Sequence, residues 1–176
     1  MEAPLYVAQR LNAQLIEQGR DIKRRDRFYA EACLPPAERA ELGDYKGSGC
    51  SQGHMAPAGD MFTPEGKAQS FSLANMAPLD PQHNGGPWSK IEQDTRRYIR
   101  RAKGDVLVIT GPLFDGQKAT IGVGQVRVPS RFFKLVYDPG TKKSWAYVQR
   151  NAADERVGSP ISYEEFQQKI GLKLLN

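Results

Sequence analysis

The sequence has few of the residue types that most often build catalytic and metal centres. Among its 176 residues only two are cysteine, Cys33 and Cys50, and only two are histidine, His54 and His83. The spacing of these four residues does not match a zinc site, which argues against zinc. No run of roughly 18 apolar residues occurs, so we expect no contact with a membrane through a spanning helix.

Internal repeats, low-complexity tracts and long linkers are also absent from the sequence. A chain of 176 residues that is 39% hydrophobic can build one compact core and has little room for a second. We therefore expect residues 1–176 to form a single domain.

The charge balance is basic, with 25 Lys and Arg against 20 Asp and Glu, a formal net charge of +5 and a pI near 9.2. Such a balance favours a polyanionic partner such as nucleic acid, although it is also an ordinary solubility charge. The densest basic stretches are "KRRDR" at 23–27 and "RRYIRR" at 96–101. Each either follows a phosphate backbone or forms a solvated face.

The first half of the chain contains short elements separated by turns. "PLYVAQRLNAQLI" predicts a strand that runs into a turn, residues 19–49 predict a loop with a short helix at Pro36 to Leu42, and "SFSLANMAPL" predicts a strand that stops at Pro78. The stretch "GCSQGHMAPAGDM" between them is small and polar, without heptad or alternating pattern. A histidine in such a loop, here His54, is either solvated or functional.

The clearest pattern is "NGGPWSKIEQDTRRYIRRAKGD", which predicts a helix that begins near Pro87 and ends before Gly104. Four strands are predicted next, in "DVLVITG", "TIGVGQVRV", "RFFKLVYD" and "SWAYVQRN", with "DPGTKK" as a hairpin connection. Ser162, followed by Glu165 three residues later, has the spacing of a capping box and predicts a closing helix.

On the first of these helices, Glu92 and Arg96 are four residues apart and lie one above the other. Extending that stripe backward by fours reaches Trp88 and then Asn84. An amide, a carboxylate and a guanidinium would then line one edge. The alternative is an exposed ion pair between Glu92 and Arg96, with Asn84 as a helix N-cap.

Six stretches together resemble the DNA/RNA non-specific endonuclease family, the ββα-metal nucleases that include endonuclease G and secreted bacterial sugar-non-specific nucleases. They are "GSGCSQGHMAPAGDM", "FSLANMAP", "NGGPWSKIEQDTRRY", "VLVITGPLF", "VPSRFFKLVYD" and "ISYEEFQQKIGLKLL". The resemblance covers nearly the whole chain. It implies a mixed α/β single domain with a central, mostly antiparallel sheet and a ββα-metal motif that ends in a helix from Asn84 to Ala102.

The resemblance also implies an activity, the Mg²⁺-dependent hydrolysis of DNA and RNA with little sequence preference and with 5′-phosphate products. Mn²⁺ would substitute for Mg²⁺. The roles that it implies are a general base at His54, a metal ligand at Asn84, a holder of metal-bound waters at Glu92, a phosphate contact at Arg96 and a positioning group at Asn75. DNA and RNA would be bound through their phosphates, with Gln52, Arg97 and Arg100 as the further substrate-binding residues.

The sequence departs from the family in the motif before the histidine, where "SQGH" replaces the commonest form, Asp-Arg-Gly-His. Ser51 also occurs in some relatives of endonuclease G. Gln52 removes a positive charge near His54, which lowers the expected rate more than it changes the reaction. The alternative function is therefore a catalytically weakened, nuclease-like module that binds nucleic acid or a protein partner.

Cys50 is a second departure, because the family often has an aromatic residue before the motif. A joint change at Cys33 and Cys50 predicts a disulfide that braces this loop and contributes about 3 kcal/mol. A disulfide implies a periplasmic or secreted protein whose export signal has been removed, whereas free thiols imply the cytoplasm.

A homodimer is one expected partner state, because family members are often dimers. An inhibitor protein is a further expected partner. His83 is expected to be a solvated loop residue.

Overall fold

A five-stranded antiparallel sheet, in the order β1-β4-β7-β8-β9, is the centre of the fold in this computed structural model, which describes residues 4–116 and 118–175. Two smaller antiparallel pairs, β2-β3 and β5-β6, lie outside it. The strands are β1 (Val7–Leu11), β2 (Ser51–His54), β3 (Met76–Leu79), β4 (Val106–Leu113), β5 (Thr120–Ile121), β6 (Val126–Arg127), β7 (Arg131–Asp138), β8 (Lys143–Arg150) and β9 (Ile161–Ser162).

Helices cover the sheet and connect its strands. They are α1 (Ala13–Gln18), α2 (Leu42–Tyr45), α3 (Pro64–Gln69), α4 (Pro81–His83), α5 (Ser89–Ile99) and α6 (Tyr163–Ile170). A π-helical turn, Asn84–Trp88, joins α4 to α5, and 3₁₀ turns lie at Ala58–Asp60 and Leu73–Asn75. In the described residues, no helix is long and apolar enough to cross a membrane.

Both faces of the central sheet are buried, as the side chains of β7 show. Successive side chains of a strand point to opposite faces. Phe132 packs with Trp88 and Ile91 of the helical run on one face, whereas Phe133 packs with Phe166 of α6 on the other. This arrangement confirms the predicted mixed α/β domain with a mostly antiparallel sheet.

The ββα unit consists of β2, β3 and α5. In the β2-β3 pair His54 lies opposite Met76 and Ser51 lies opposite Leu79. Leu79 and the residue after His54, Met55, pack in the same core as Trp88. The end of β2 is thereby fixed beside the helical run.

The stretch "TIGVGQVRV", predicted as one strand, is the hairpin β5-β6. Gly122 in its turn has a φ of +66°, and a Cβ there would lie 2.2 Å from the Cα of Asp44. The Asp44 carboxylate also accepts a hydrogen bond of 2.7 Å from the backbone N–H of Gly124. The hairpin docks on α2, a long-range contact that the strand pattern does not contain.

Two helix positions also differ from the prediction. The short helix expected at Pro36 to Leu42 lies later in the chain, as α2, because Glu41 and Asp44 form a capping box that fixes its start. Helix α5 ends at Ile99 rather than just before Gly104. The closing helix is confirmed as α6, with the Ser162 hydroxyl accepting a hydrogen bond of 3.1 Å from the Glu165 N–H.

The predicted disulfide is wrong, because Cys33 and Cys50 are both free thiols. Cys33 is exposed, whereas Cys50 is half-buried and packs against the apolar cluster that contains Leu73 and Met76. Cys50 thus fills a core position as a small apolar residue, which explains its presence without a bridge.

Candidate active site

A cavity of about 420 Å³ lies where β2, the 3₁₀ turn Ala58–Asp60 and the helical run meet. Five of the predicted catalytic, substrate-binding and metal-binding residues line it, from segments far apart in the chain. They are Gln52, His54, Asn84, Glu92 and Arg96.

His54 is buried at one side of this cavity, with only 9% of its surface exposed. Its ring lies between Phe71, at 5.1 Å between centroids and nearly perpendicular, and Phe28, at 5.9 Å. Burial lowers the pKa of the imidazole to about 4; the nearby Arg24 adds to this effect and Asp26 opposes it. The Nε2 atom has no hydrogen-bond partner among the described residues. The ring is therefore neutral near pH 7 and has a nitrogen free to accept a proton.

Asn75 fixes the backbone that follows His54. Its Oδ1 accepts a hydrogen bond of 3.0 Å from the N–H of Ala56, and its Nδ2 donates to the carbonyls of Ala56 and Ser70, both at 2.9 Å. Its own carbonyl accepts a further bond from the N–H of Met55. The side-chain amide therefore bonds to backbone groups through both its oxygen and its nitrogen, and it ties Ala56 to Ser70.

Asn84 is oriented by the first residue of the "SQGH" motif. Its Nδ2 donates a hydrogen bond of 3.0 Å to the Ser51 hydroxyl, which in turn donates to the carbonyl of Leu79 at 3.0 Å. Among the described residues, the Oδ1 of Asn84 accepts no hydrogen bond. An oriented amide oxygen is a suitable ligand for a hard cation.

The π-helical turn decides which side chains share the cavity with Asn84. Ser89, Glu92 and Arg96 line the cavity, whereas Trp88 is completely buried in the core. Trp88, through which the stripe at intervals of four passes, thus faces the core and not the cavity. A π turn is wider than an α turn by one residue, and so Asn84 is separated from Ser89 by five positions instead of four.

Glu92 lies half-buried on the cavity wall. Burial raises the pKa of its carboxyl group to about 7, and the charge of Lys134 is the largest opposing effect. Lys134 is itself buried, and its Nζ donates a hydrogen bond of 2.6 Å to Thr110 and lies 5.2 Å from the centroid of the Trp88 ring. The sequence analysis missed this cation, although its spacing of two from Phe132 on β7 placed it on the same, inward face.

Arg96 is held by Asp60, not by Glu92. Its Nη1 lies 2.8 Å from Asp60 Oδ1, and the two side chains are 17% and 5% exposed. Gly59 permits this packing, because a Cβ there would lie 3.1 Å from the same nitrogen. Asp60 lies in the stretch "GCSQGHMAPAGDM" around His54, but its partner could not be read from the sequence.

The other predicted residues lie elsewhere. Arg97 and Arg100 are exposed and do not line the cavity, and Arg97 pairs with Asp94 at 2.8 Å. Arg24, from the "KRRDR" stretch, does line it. His83, expected in solvent, is completely buried against Trp88 because α4 turns it into the core.

The donors around the cavity fit a hydrated Mg²⁺ ion. Among residues 4–116 and 118–175, no three His, Cys, Asp or Glu side chains come together as a metal cage. The cavity instead offers the free amide oxygen of Asn84 and the carboxylate of Glu92. Mg²⁺ usually keeps several waters and uses one or two protein oxygens, so this sparse set is appropriate for it.

Known proteins similar to this chain are nucleases. Human mitochondrial nuclease EXOG is 35% identical over 95% of this chain, and Nuclease C1 of Cunninghamella echinulata var. echinulata is 33% identical over 94%. The chain spans about half (49%) of the length of human EXOG and 70% of Nuclease C1. A crystal structure of the EndoG/EndoGI complex superimposes with a TM-score of 0.80 at 27% identity, covering 99% of this chain and 80% of that one.

Several proteins similar to this chain, human EXOG among them, are named as mitochondrial proteins. Together with the free thiols, their names contradict the expected periplasmic or secreted location, which rested on the disulfide. A model of the family described as DNA/RNA non-specific endonuclease matches residues 1–172. The fold, the relatives and this match agree, and the chain belongs to the DNA/RNA non-specific endonuclease family.

Proposed function

We propose that this protein is a metal-dependent endonuclease that hydrolyses phosphodiester bonds in DNA and RNA without sequence preference and leaves 5′-phosphates. The observation that carries the proposal is the convergence of His54, Asn84, Glu92 and Arg96 on one cavity. Phosphodiester hydrolysis needs an activated water and stabilisation of the developing charge, and a proton acceptor, a cation ligand, a carboxylate and a guanidinium together can supply both. Membership of the family and the names of the relatives support the same activity.

His54 accepts the proton of the attacking water in this proposal. Its neutral ring and its unpartnered Nε2 suit that role, and Asn75 keeps the backbone beside it in place. Arg96, held by Asp60, contacts a phosphate oxygen and stabilises the charge that develops on it.

Asn84 would hold Mg²⁺, or Mn²⁺ in its place, through Oδ1, and Glu92 would accept hydrogen bonds from the waters around the ion. A bound divalent cation supplies Lewis-acid stabilisation of charge on the phosphate and the leaving oxygen. Ser51 supports this role because its hydroxyl accepts a hydrogen bond from Nδ2 of Asn84 and so orients the amide. Gln52 lines the cavity and donates hydrogen bonds to substrate in place of the arginine that is commonest in the family.

The test is cleavage of supercoiled plasmid and of a structured RNA by the purified protein with Mg²⁺ or with EDTA. Wild type is expected to cut both only with the metal, and His54→Ala to cut neither. Labelling of the product ends by polynucleotide kinase, before and after phosphatase treatment, identifies the 5′-phosphates. A wild-type protein that retains DNA in a gel shift but cuts neither substrate with any common divalent ion would refute the enzyme, and would support the binding module suggested by Gln52.

Arg97 and Arg100 extend the proposed surface for the phosphate backbone beyond the cavity. The EndoG/EndoGI complex supports an inhibitor protein as a further partner, and the family resemblance supports a homodimer. For location, the names of the relatives favour the mitochondrion.

A further inference from the structure

A second depression, which we call the basic groove, lies on the far side of the segment 23–29 from the cavity of His54. Its volume is about 600 Å³, within the range of roughly 300–1,000 Å³ that is typical of small-ligand sites. The proposed chemistry does not use it. Its floor is apolar, formed in part by Ile22, Pro64, Ala68 and Phe71.

The segment 23–29 is a wall shared by the two depressions, and its side chains alternate between them. Lys23, Arg25 and Arg27 line the basic groove, as does Tyr29. Arg24, between them in sequence, lines the cavity of His54. The motif "KRRDR" therefore supplies cations to both sides, and one nucleic-acid chain could reach both.

The cations of the basic groove are available for a ligand. Lys23, Arg25 and Arg27 are exposed, and within the described chain none of them forms an ion pair. The fourth cation, Lys67, is already engaged, since its Nζ donates to the carbonyls of Gly19 and Ile22 at 3.2 and 2.8 Å. Lys67 thus binds the backbone below the groove, and the other three cations form a charged rim, Lys23, Arg25 and Arg27.

The groove also contains an accessible aromatic ring. Tyr29 is 38% exposed, whereas Phe71 is 1% exposed and contacts His54 on its other side at 5.1 Å between ring centroids. These features suit the binding of a nucleotide. Its base can stack on the accessible ring above an apolar floor, and its phosphates attract the three unpaired cations. One aromatic layer separates this site from the proposed general base.

We propose that the basic groove binds a nucleotide of the substrate strand next to the cleaved bond, with its base against Tyr29 and its phosphates on the rim. This inference rests on the proposed function, whose substrate it narrows. A base can enter such a groove only after leaving its stack and its pair. The groove therefore favours single-stranded or frayed nucleic acid over an intact duplex.

The test is metal-free binding, measured by fluorescence anisotropy with a short labelled oligothymidine and a duplex of equal length, both in EDTA. Ala68→Glu places a carboxylate in the groove, and Gln69→Glu adds the same charge at the next, exposed position of α3 outside the groove. We expect Ala68→Glu to weaken single-strand binding about tenfold, with a much smaller effect on the duplex. Gln69→Glu should change neither the affinity for the single strand nor the affinity for the duplex.

Two further sets of variants separate stacking from charge. Tyr29→Ala is expected to weaken single-strand binding about as much, and Tyr29→Phe to restore it, because the ring rather than the hydroxyl carries the contact. Removing the rim cations should reduce the magnitude of the slope of the logarithm of the association constant against the logarithm of salt concentration by about 2. Removing three exposed cations outside both depressions should leave this slope close to that of the wild type. The two triple variants replace Lys23, Arg25 and Arg27, or Lys143, Arg156 and Lys173, with serine.

The proposal is overturned if the wild type does not bind the oligothymidine, if Ala68→Glu leaves its affinity unchanged, or if single strand and duplex weaken equally. Because this readout needs neither metal nor cleavage, it is separate from the test of the enzyme. A protein that fails to cut nucleic acid but shows the expected selective loss would refute the proposed function and support the groove.

Discussion

Replacing Glu92 with glutamine should change how the free energy of unfolding depends on pH, and His54→Gln should change it in the opposite sense. The pKa of Glu92 rises from 4.5 in a free side chain to about 7 in the folded protein, mainly because of burial. The pKa of His54 falls from 6.5 to about 4 for the same reason. Both side chains are thus held uncharged where their free forms would be charged.

The two effects have opposite signs. Between pH 4.5 and 7 the folded protein binds the Glu92 proton more tightly than the unfolded chain, so this contribution to stability is lost as pH rises through 7. Between pH 4 and 6.5 the unfolded chain binds the His54 proton more tightly, so that contribution is lost as pH falls through 4. Each tenfold difference in proton affinity is worth about 1.4 kcal/mol, which gives about 3 kcal/mol for each residue. In the wild type they largely cancel.

The assay is urea unfolding in EDTA from pH 4 to 8. As pH rises from 4.5 to 7, the stability of the wild type relative to Glu92→Gln should fall by about 3 kcal/mol. As pH rises from 4 to 6.5, the stability of the wild type relative to His54→Gln should rise by a similar amount. Glu164→Gln, which removes an exposed carboxyl from α6, is the matched control. A stability difference for Glu92→Gln that does not vary with pH would refute the reasoning.

Three further substitutions test the supports of the cavity. Asp60→Ala should lower stability by about 3 kcal/mol or more, because it leaves the guanidinium of Arg96 buried and unpaired, and should also reduce kcat; unchanged urea unfolding would contradict the pairing. Asn75→Ala should cost about 2–4 kcal/mol in the same assay, because both backbone groups of Ala56 lose their partner, and a loss below 1 kcal/mol would argue against this role. Gln52→Arg should lower KM for plasmid by restoring a cation beside the phosphate, and a KM that does not change would show that Gln52 does not meet substrate.

The sequence was sufficient for features that depend on local pattern. Periodicity and turn residues located the main strands, and the cap at Ser162 located α6, because these signals act over a few residues. The resemblance selected His54, Asn84, Glu92 and Arg96, and the structure brings all four to one cavity.

The missed features depend on contacts between distant segments. Asp60 meets Arg96 from 36 positions away, and Lys134 lies near Glu92 on the face of β7 that packs against the helical run. No local pattern encodes these distances. Cys50 shows a different error, since a residue explained by packing was given a covalent partner because Cys33 and Cys50 were interpreted as a joint change from the family pattern.

The π-helical turn makes the width of one helical turn decisive for the site. Gly85 and Gly86 lie inside the one wide turn between Asn84 and α5. If the same residues closed an ordinary α-helical run of about 3.6 residues per turn, everything before the turn would be rotated by about 100° around the helix axis. Asn84 would then be carried away from Ser51 while its own identity was unchanged. A variant with a regular α-helical turn here would retain every cavity residue in its sequence, yet it would have lost the proposed cation ligand.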